Sequence, residues 1–359
     1  MKKIIIMMMM MFFALSLSLF SAERLKRGLK NLPNILILTT GGTIAGKGAS
    51  ETGSGYTAGQ LSGDDLIAAV PELETIANIK VEEISNVPSQ NMSIDIWLKL
   101  AKRINEALEE YDCDGIVITH GTDTMEETAY FLNLTVHSDK PVVLTGSMRP
   151  STSISADGNL NLYNAVACAG YEDSYDRGVL VLLNDKIYTA RNVTKTNTTN
   201  VETFQNLNGG PVGYVHFGEI SYYYLTEKRH TVDSEFDTEA LNELPRIEII
   251  YGYADSGSLF VDAAIEAQVD GIIYASVGDG NAPSETLESL QEAAEKGIKI
   301  VVSSRTGSGI VCRDAEYDFE QYDFISADNL SPQQARILLM LALVKSDNIS
   351  VIQEYFYTY

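Results

Sequence analysis

Residues 115–119, Gly-Ile-Val-Ile-Thr, form an apolar run that leads directly into His120-Gly121-Thr122-Asp123-Thr124. An earlier run, Ile35-Leu36-Ile37-Leu38, ends in Thr39-Thr40-Gly41-Gly42-Thr43. Each couples a strand-like stretch to a turn of small and hydroxyl-bearing residues. In open α/β sheets, ligands bind beyond the carboxyl ends of the strands. Two such turns suggest a pocket served by a pair of threonines, Thr43 and Thr122. A threonine hydroxyl is a weak nucleophile until a base activates it. Of the four histidines only His120 lies near a turn, and one residue past a strand end it reads as structural more readily than as catalytic. Lys195, inside Asn192-Val193-Thr194-Lys195-Thr196-Asn197, is another candidate, because burial and neighbours can hold a lysine neutral. An isolated lysine in a polar run is otherwise a solvated residue.

The glycines beside Thr43 let a backbone approach a small ligand and offer N–H groups to an oxyanion. The stretch lacks the ending of a P-loop and the spacing of a dinucleotide fingerprint. From Gly46 to Gly59 the chain stays glycine-rich and polar, with Tyr56 as its one aromatic. That pattern reads either as a mobile lid that shields a reaction from water or as a plain surface loop. No His/Cys cluster has metal-ligand spacing and there is no CxxC, so no metal or cofactor is expected.

Positioning these turns requires a scaffold of buried strands. Val/Ile-rich runs at 35–39, 115–119, 141–145 and 178–183, then at 246–251, 271–275 and 299–303, do not alternate with polar residues. Strands buried on both faces of a parallel sheet have this character. Between them lie helical signals. Ser62-Gly63-Asp64-Asp65 has the form of a capping box, Trp97, Leu100, Ile104 and Leu108 recur at helical spacing, and Ser331-Pro332-Gln333-Gln334 opens another helix. Near 221–242 the composition shifts and no period is visible. The reading is a two-domain α/β protein: a larger, mostly parallel N-terminal α/β domain at 32–222, a linker at 223–245, and a smaller flavodoxin-like α/β domain at 246–359.

The 359 residues, 45% apolar and 21% charged, are globular in composition. A formal charge of −23 argues against nonspecific nucleic-acid binding, which needs a basic patch. Lys2 and Lys3 precede an apolar stretch of about 17 residues, a secretory pattern at the short edge for a spanning helix. A signal peptide at 1–22 and export to the periplasm are therefore expected. Cleavage after Ser16 or Ser18 satisfies the small-residue rule better than cleavage after Ala22. Cys113, Cys168 and Cys312 are widely spaced and read as structural thiols, with one disulfide at most.

Thr40-Gly41-Gly42-Thr43-Ile44-Ala45-Gly46 and His120-Gly121-Thr122-Asp123-Thr124-Met125-Glu126-Glu127-Thr128 resemble the two signature motifs of bacterial L-asparaginases. Met148-Arg149-Pro150-Ser151, Ser155-Ala156-Asp157-Gly158, Val193-Thr194-Lys195-Thr196-Asn197-Thr198 and Asn329-Leu330-Ser331-Pro332-Gln333 are similar to that family too, in order from about residue 32 onward. With a leader in front, the chain looks like the periplasmic type II group. The resemblance implies hydrolysis of L-asparagine to L-aspartate and ammonia through a β-aspartyl ester on Thr43, assisted by Tyr56. It implies that Glu316, from a neighbouring subunit, orients Tyr56 and contacts the substrate amino group. Thr122, Lys195 and Asp123 would activate water, and Asp123 would also bind the α-amino group. Ser89 and Gln90 would hold the α-carboxylate and amino group, with Ser147 beside the oxyanion. A homotetramer with sites at subunit contacts follows from the same resemblance.

Two departures stand out: Pro88 where many relatives have glycine, and Asp255 in place of an asparagine. Comparable use of glutamine is the alternative within the family, since one methylene is worth only about 1–3 kcal/mol in a pocket. An exported amino-acid-binding protein is the rival from another class. It would need a pocket but no Thr43/Thr122/Lys195 combination.

Overall fold

The structure is a computed structural model that describes residues 32–48, 50–52, 55–109, 112–315 and 317–359. The expected leader at 1–22 and Glu316 lie outside the described residues.

Thr39, Thr119 and Thr145 stand side by side at the carboxyl ends of three neighbouring strands. These strands are β1 (Asn34–Gly41), β5 (Gly115–Thr119) and β6 (Val142–Thr145). They belong to an eight-stranded sheet of order β12-β11-β8-β7-β6-β5-β1-β4. Its other members are β4 (Asn78–Val87), β7 (Val179–Leu183), β8 (Lys186–Thr189), β11 (Gly213–His216) and β12 (Glu219–Tyr222). From β4 to β7 every pairing is parallel, and from β7 to β12 every pairing is antiparallel. The chain passes from β1 to β4 on one side, then returns to β5 on the other. The strand order therefore reverses between β1 and β5. Crevices open at such points in α/β sheets, and the turns that follow these two strands carry Thr43 and Thr122.

Alternate residues of each strand feed opposite faces. Leu36, Leu38, Ile116 and Ile118 pack on one side with helices α2 (Ile94–Glu109) and α3 (Met125–Thr135). Ile35, Ile37, Val117 and Val143 pack on the other with α1 (Gly63–Ala68) and α4 (Gly158–Ala169). Ser62 caps α1 through the expected reciprocal box with Asp65.

A second, four-stranded parallel sheet contains β13 (Ile247–Tyr251), β14 (Gly271–Ser276), β15 (Lys299–Ser304) and β16 (Phe324–Ser326), in that order. Helices α5 (Leu259–Glu266) and α6 (Ser284–Glu295) cover one face. The other face packs on α7 (Pro332–Lys345) and α8 (Ile349–Thr358). Helix α7 buries Ala335 and Ile337 through Ala342. A helix that is apolar all round must be enclosed, and α7 is enclosed because its cluster is continuous with that of α3. In the segment at 223–245, Phe236 is buried in the same cluster and Ser234 donates to the Leu134 carbonyl. The three cysteines are free, Cys113 and Cys168 buried and Cys312 exposed. Burial pushes both interior thiols up, away from the reactive thiolate.

Candidate active site

Gly41 and Gly42 both have positive φ, 106° and 85°. They also leave no room for a side chain. A Cβ on Gly41 would stand 2.5 Å from the Val87 carbonyl oxygen, and one on Gly42 would stand 2.4 Å from the Gly121 nitrogen. The β1 turn is thus wedged between the ends of β4 and β5. The Thr40 hydroxyl fastens it by donating to the Thr119 carbonyl at 2.9 Å. Thr43 then opens a buried 3₁₀ turn, Thr43–Ala45.

After that turn the chain makes a short hairpin, β2 (Lys47–Gly48) against β3 (Tyr56–Thr57), with Gly48 opposite Tyr56. It returns to its starting point, since Gln60 and Leu61 both donate to the Ala45 carbonyl. Thr152 and Ser151 hold its base, at Gly48 N and Gly46 O. The backbone of Tyr56 is thereby tied to the turn that carries Thr43.

On the β5 side, Lys195 Nζ donates to Thr122 Oγ1 at 2.9 Å and to Asp123 Oδ1 at 2.7 Å. The Lys195 side chain is 15% exposed, whereas Asp123 is 62% exposed and opens to solvent. Lys195 lies on β9 (Thr194–Lys195), which among the described residues pairs only with the two-residue β10 (Phe204–Gln205). The buried Ser89 braces the same turn. Its Oγ accepts from the Asp123 nitrogen at 3.2 Å, and its carbonyl accepts from Thr124 Oγ1 at 2.8 Å. Gln90 beside it is exposed. Pro88 caps this 3₁₀ turn with φ −64°, the angle its ring imposes, so proline fits here without strain. Ser147 is buried on the β6 side, its hydroxyl donating to the Arg149 carbonyl at 2.8 Å.

His120 plays the structural part. Trp97 Nε1, which can only donate, donates to Thr128 Oγ1 at 2.8 Å. The Gly121 carbonyl can only accept, so His120 Nδ1 carries the proton it takes at 2.6 Å, and in the neutral ring Nε2 accepts from the Thr128 hydroxyl at 2.8 Å. Burial lowers the His120 pKa to about 4, so the ring is neutral and supports the Gly121 peptide.

Glu126 carries a contact that the sequence reading assigned no role. Buried in the first turn of α3, it accepts from Thr194 Oγ1 at 3.1 Å and from the Lys195 backbone N–H. Burial pushes its pKa up to about 7, against the pull of those donors. The available signal was its place inside the Thr122 motif on a helix buried all round.

The described geometry brings together the turns of Thr43 and Thr122, the Lys195–Thr122–Asp123 contact and Ser89. Residues 34–228 match the family description "Asparaginase, N-terminal", and residues 246–356 match "Glutaminase/Asparaginase C-terminal domain". The chain belongs to the asparaginase family. L-asparaginase 2 of Escherichia coli is 51% identical over 328 residues, covering 91% of this chain and 94% of the relative. A probable periplasmic L-asparaginase of Haemophilus influenzae is 51% identical over 326 residues, covering 91% and 93%. The crystal structure of a probable cytoplasmic L-asparaginase from Campylobacter jejuni superposes with a TM-score of 0.89 at 48% identity, covering 91% of this chain and all of that one. The asparaginase-family enzyme described here thus pairs a large, mostly parallel N-terminal sheet with a separate smaller parallel one.

Proposed function

We propose that this enzyme hydrolyses L-asparagine to L-aspartate and ammonia by way of a β-aspartyl ester on Thr43. The observation that carries the reading is the Lys195 ammonium reaching both Thr122 and Asp123, across from a second threonine turn in backbone contact with the first. Thr43 Oγ attacks the side-chain amide carbon, the C–N bond breaks, and ammonia leaves with the threonine proton. Water then attacks the ester. Its proton passes to Thr122 Oγ1 as the Thr122 proton passes to Lys195 Nζ and a Lys195 proton passes to the Asp123 carboxylate beside it. The ester C–O bond breaks and Thr43 regains a proton. The exposed Asp123 carboxylate suits the substrate ammonium, and the Ser89–Gln90 turn suits its carboxylate. Tyr56 assists Thr43, Glu316 of a neighbouring copy orients Tyr56, and the Ser147 turn borders the oxyanion.

Thr43→Ala should abolish ammonia release from asparagine; near-native turnover in that variant would overturn the assignment. Glutamine is the second substrate to test, because the matched C-terminal family description covers both amidases. The ratio of kcat/KM for the two amides decides between them.

The proposed assembly is a homotetramer. Exposed Phe217, Tyr223, Tyr224 and Leu225 at the β12 edge, and Leu259, Phe260 and Ile310 on the smaller sheet's side, support this reading, because monomers rarely leave large apolar patches in water. Sedimentation velocity tests it. The proposed location is the periplasm. The Haemophilus relative's name supports it and the Campylobacter neighbour's name does not; cell fractionation decides.

A further inference from the structure

Lys195 sits on a two-residue ladder that joins neither large sheet. A ribbon this short is not stable by itself in water. Its geometry must come from side chains elsewhere, and two buried residues supply it. One is Glu126, bound to the Thr194 hydroxyl and the Lys195 amide. The other is Gln334 in the capping box of α7. Its Nε2 donates to the carbonyls of Ala190 and Val193 at 3.2 and 3.3 Å, just ahead of the ladder. Its Oε1 accepts from Ser331.

We propose that Glu126 is a positioning residue for Lys195, and that α3 thereby holds both halves of the Thr122–Lys195 pair. Thr122 and Asp123 precede α3 directly, and Glu126 grips the Lys195 backbone from its first turn. One rigid element thus fixes the separation between Lys195 Nζ and Thr122 Oγ1. A buried carboxylate is a costly way to tie a loop, because its desolvation must be offset by hydrogen bonds and by the helix N-terminus. It accepts from two donors at once, which no apolar side chain of the same volume does. Gln334 brings a second anchor from the smaller domain.

The inference rests on the role given above to Lys195. Its test uses the full-length enzyme with L-asparagine as substrate. The variants are Lys195→Met, Glu126→Met, Glu126→Gln and the double variant Glu126→Met/Lys195→Met. Glu126→Met keeps the volume but accepts nothing, so kcat should fall on the order of 10²-fold while KM changes much less. Glu126→Gln should recover most of that loss, with its carbonyl on the Lys195 amide and its NH₂ on Thr194 Oγ1. The double variant should be no slower than Lys195→Met, because residues acting through one group are not additive. Native kcat in Glu126→Met, or losses that multiply in the double variant, overturns the inference. Native turnover in Lys195→Met overturns the Lys195 reading itself, and it shows in that variant alone. If Glu126→Met does not fold, Thr194→Val removes one donor and supplies the same cycle.

Discussion

Gly42 and Gly121 touch backbone to backbone, so closely that a Cβ on Gly42 would stand 2.4 Å from the Gly121 nitrogen. Each is followed at once by a threonine, Thr43 in one turn and Thr122 in the other. The register of β1 against β5 brings the strand ends level, and the missing side chains let the turns close on one another. The glycines therefore set how near the two hydroxyls come.

Gly42→Ala tests this directly. Its φ of 85° already disfavours any other residue, at a cost of about 1–3 kcal/mol. The new methyl would also push the Gly121 turn away. We expect kcat/KM to fall on the order of 10²-fold, more than the loss of stability alone predicts. Denaturant unfolding beside kinetics separates the two effects, and a native kcat/KM would contradict the argument.

Thr128→Val removes the middle of the Trp97–Thr128–His120 chain. Two buried partners are then left unpaired, at about 1–3 kcal/mol each. The urea midpoint should fall with an unchanged slope. Trp97 is the one tryptophan in the sequence, so its emission reports the transition. An unchanged midpoint would show that the chain carries no stability.

The buried His120 and Glu126 give the stability opposite dependences on pH. His120 titrates near 4 when folded and near 6.5 otherwise, so its contribution is present above 6.5 and is lost as pH falls through 4. Glu126 titrates near 7 when folded, against 4.5 otherwise, with the charges of Lys195 and Glu127 facing it. Its contribution is present below 4.5 and is lost as pH rises through 7, on the order of 3 kcal/mol. Glu126→Gln should remove that second loss. Its stability relative to the parent should rise between pH 4.5 and 7; parallel curves would refute the Glu126 shift.

The parallel strands were legible because burial on both faces makes β1, β5, β6 and β7 continuous Val/Ile/Leu runs. The turns after β1 and β5 were legible because small and hydroxyl-bearing residues follow these runs directly. Strand β4 was not, because it is the outer edge strand and intersperses Lys80, Glu82 and Glu83 with its apolar residues. The antiparallel extension was missed because β8, β11 and β12 are four residues each and only half apolar. At the site, the Thr122–Asp123 turn and Lys195 were legible as candidates. Their contact spans 73 residues of chain and is a tertiary fact. Glu126 was overlooked because an acid in the first turn of a helix is ordinarily explained by the helix dipole.

The division of labour between the threonines is tested most directly by trapping the ester. Lys195→Met should slow attack by water while leaving Thr43 able to expel ammonia. Mixing that variant with asparagine, quenching in acid and mapping the peptides by mass spectrometry should place one aspartyl group on the peptide containing Thr43. An aspartyl group on the Thr122 peptide, or no adduct alongside native turnover, would contradict the account.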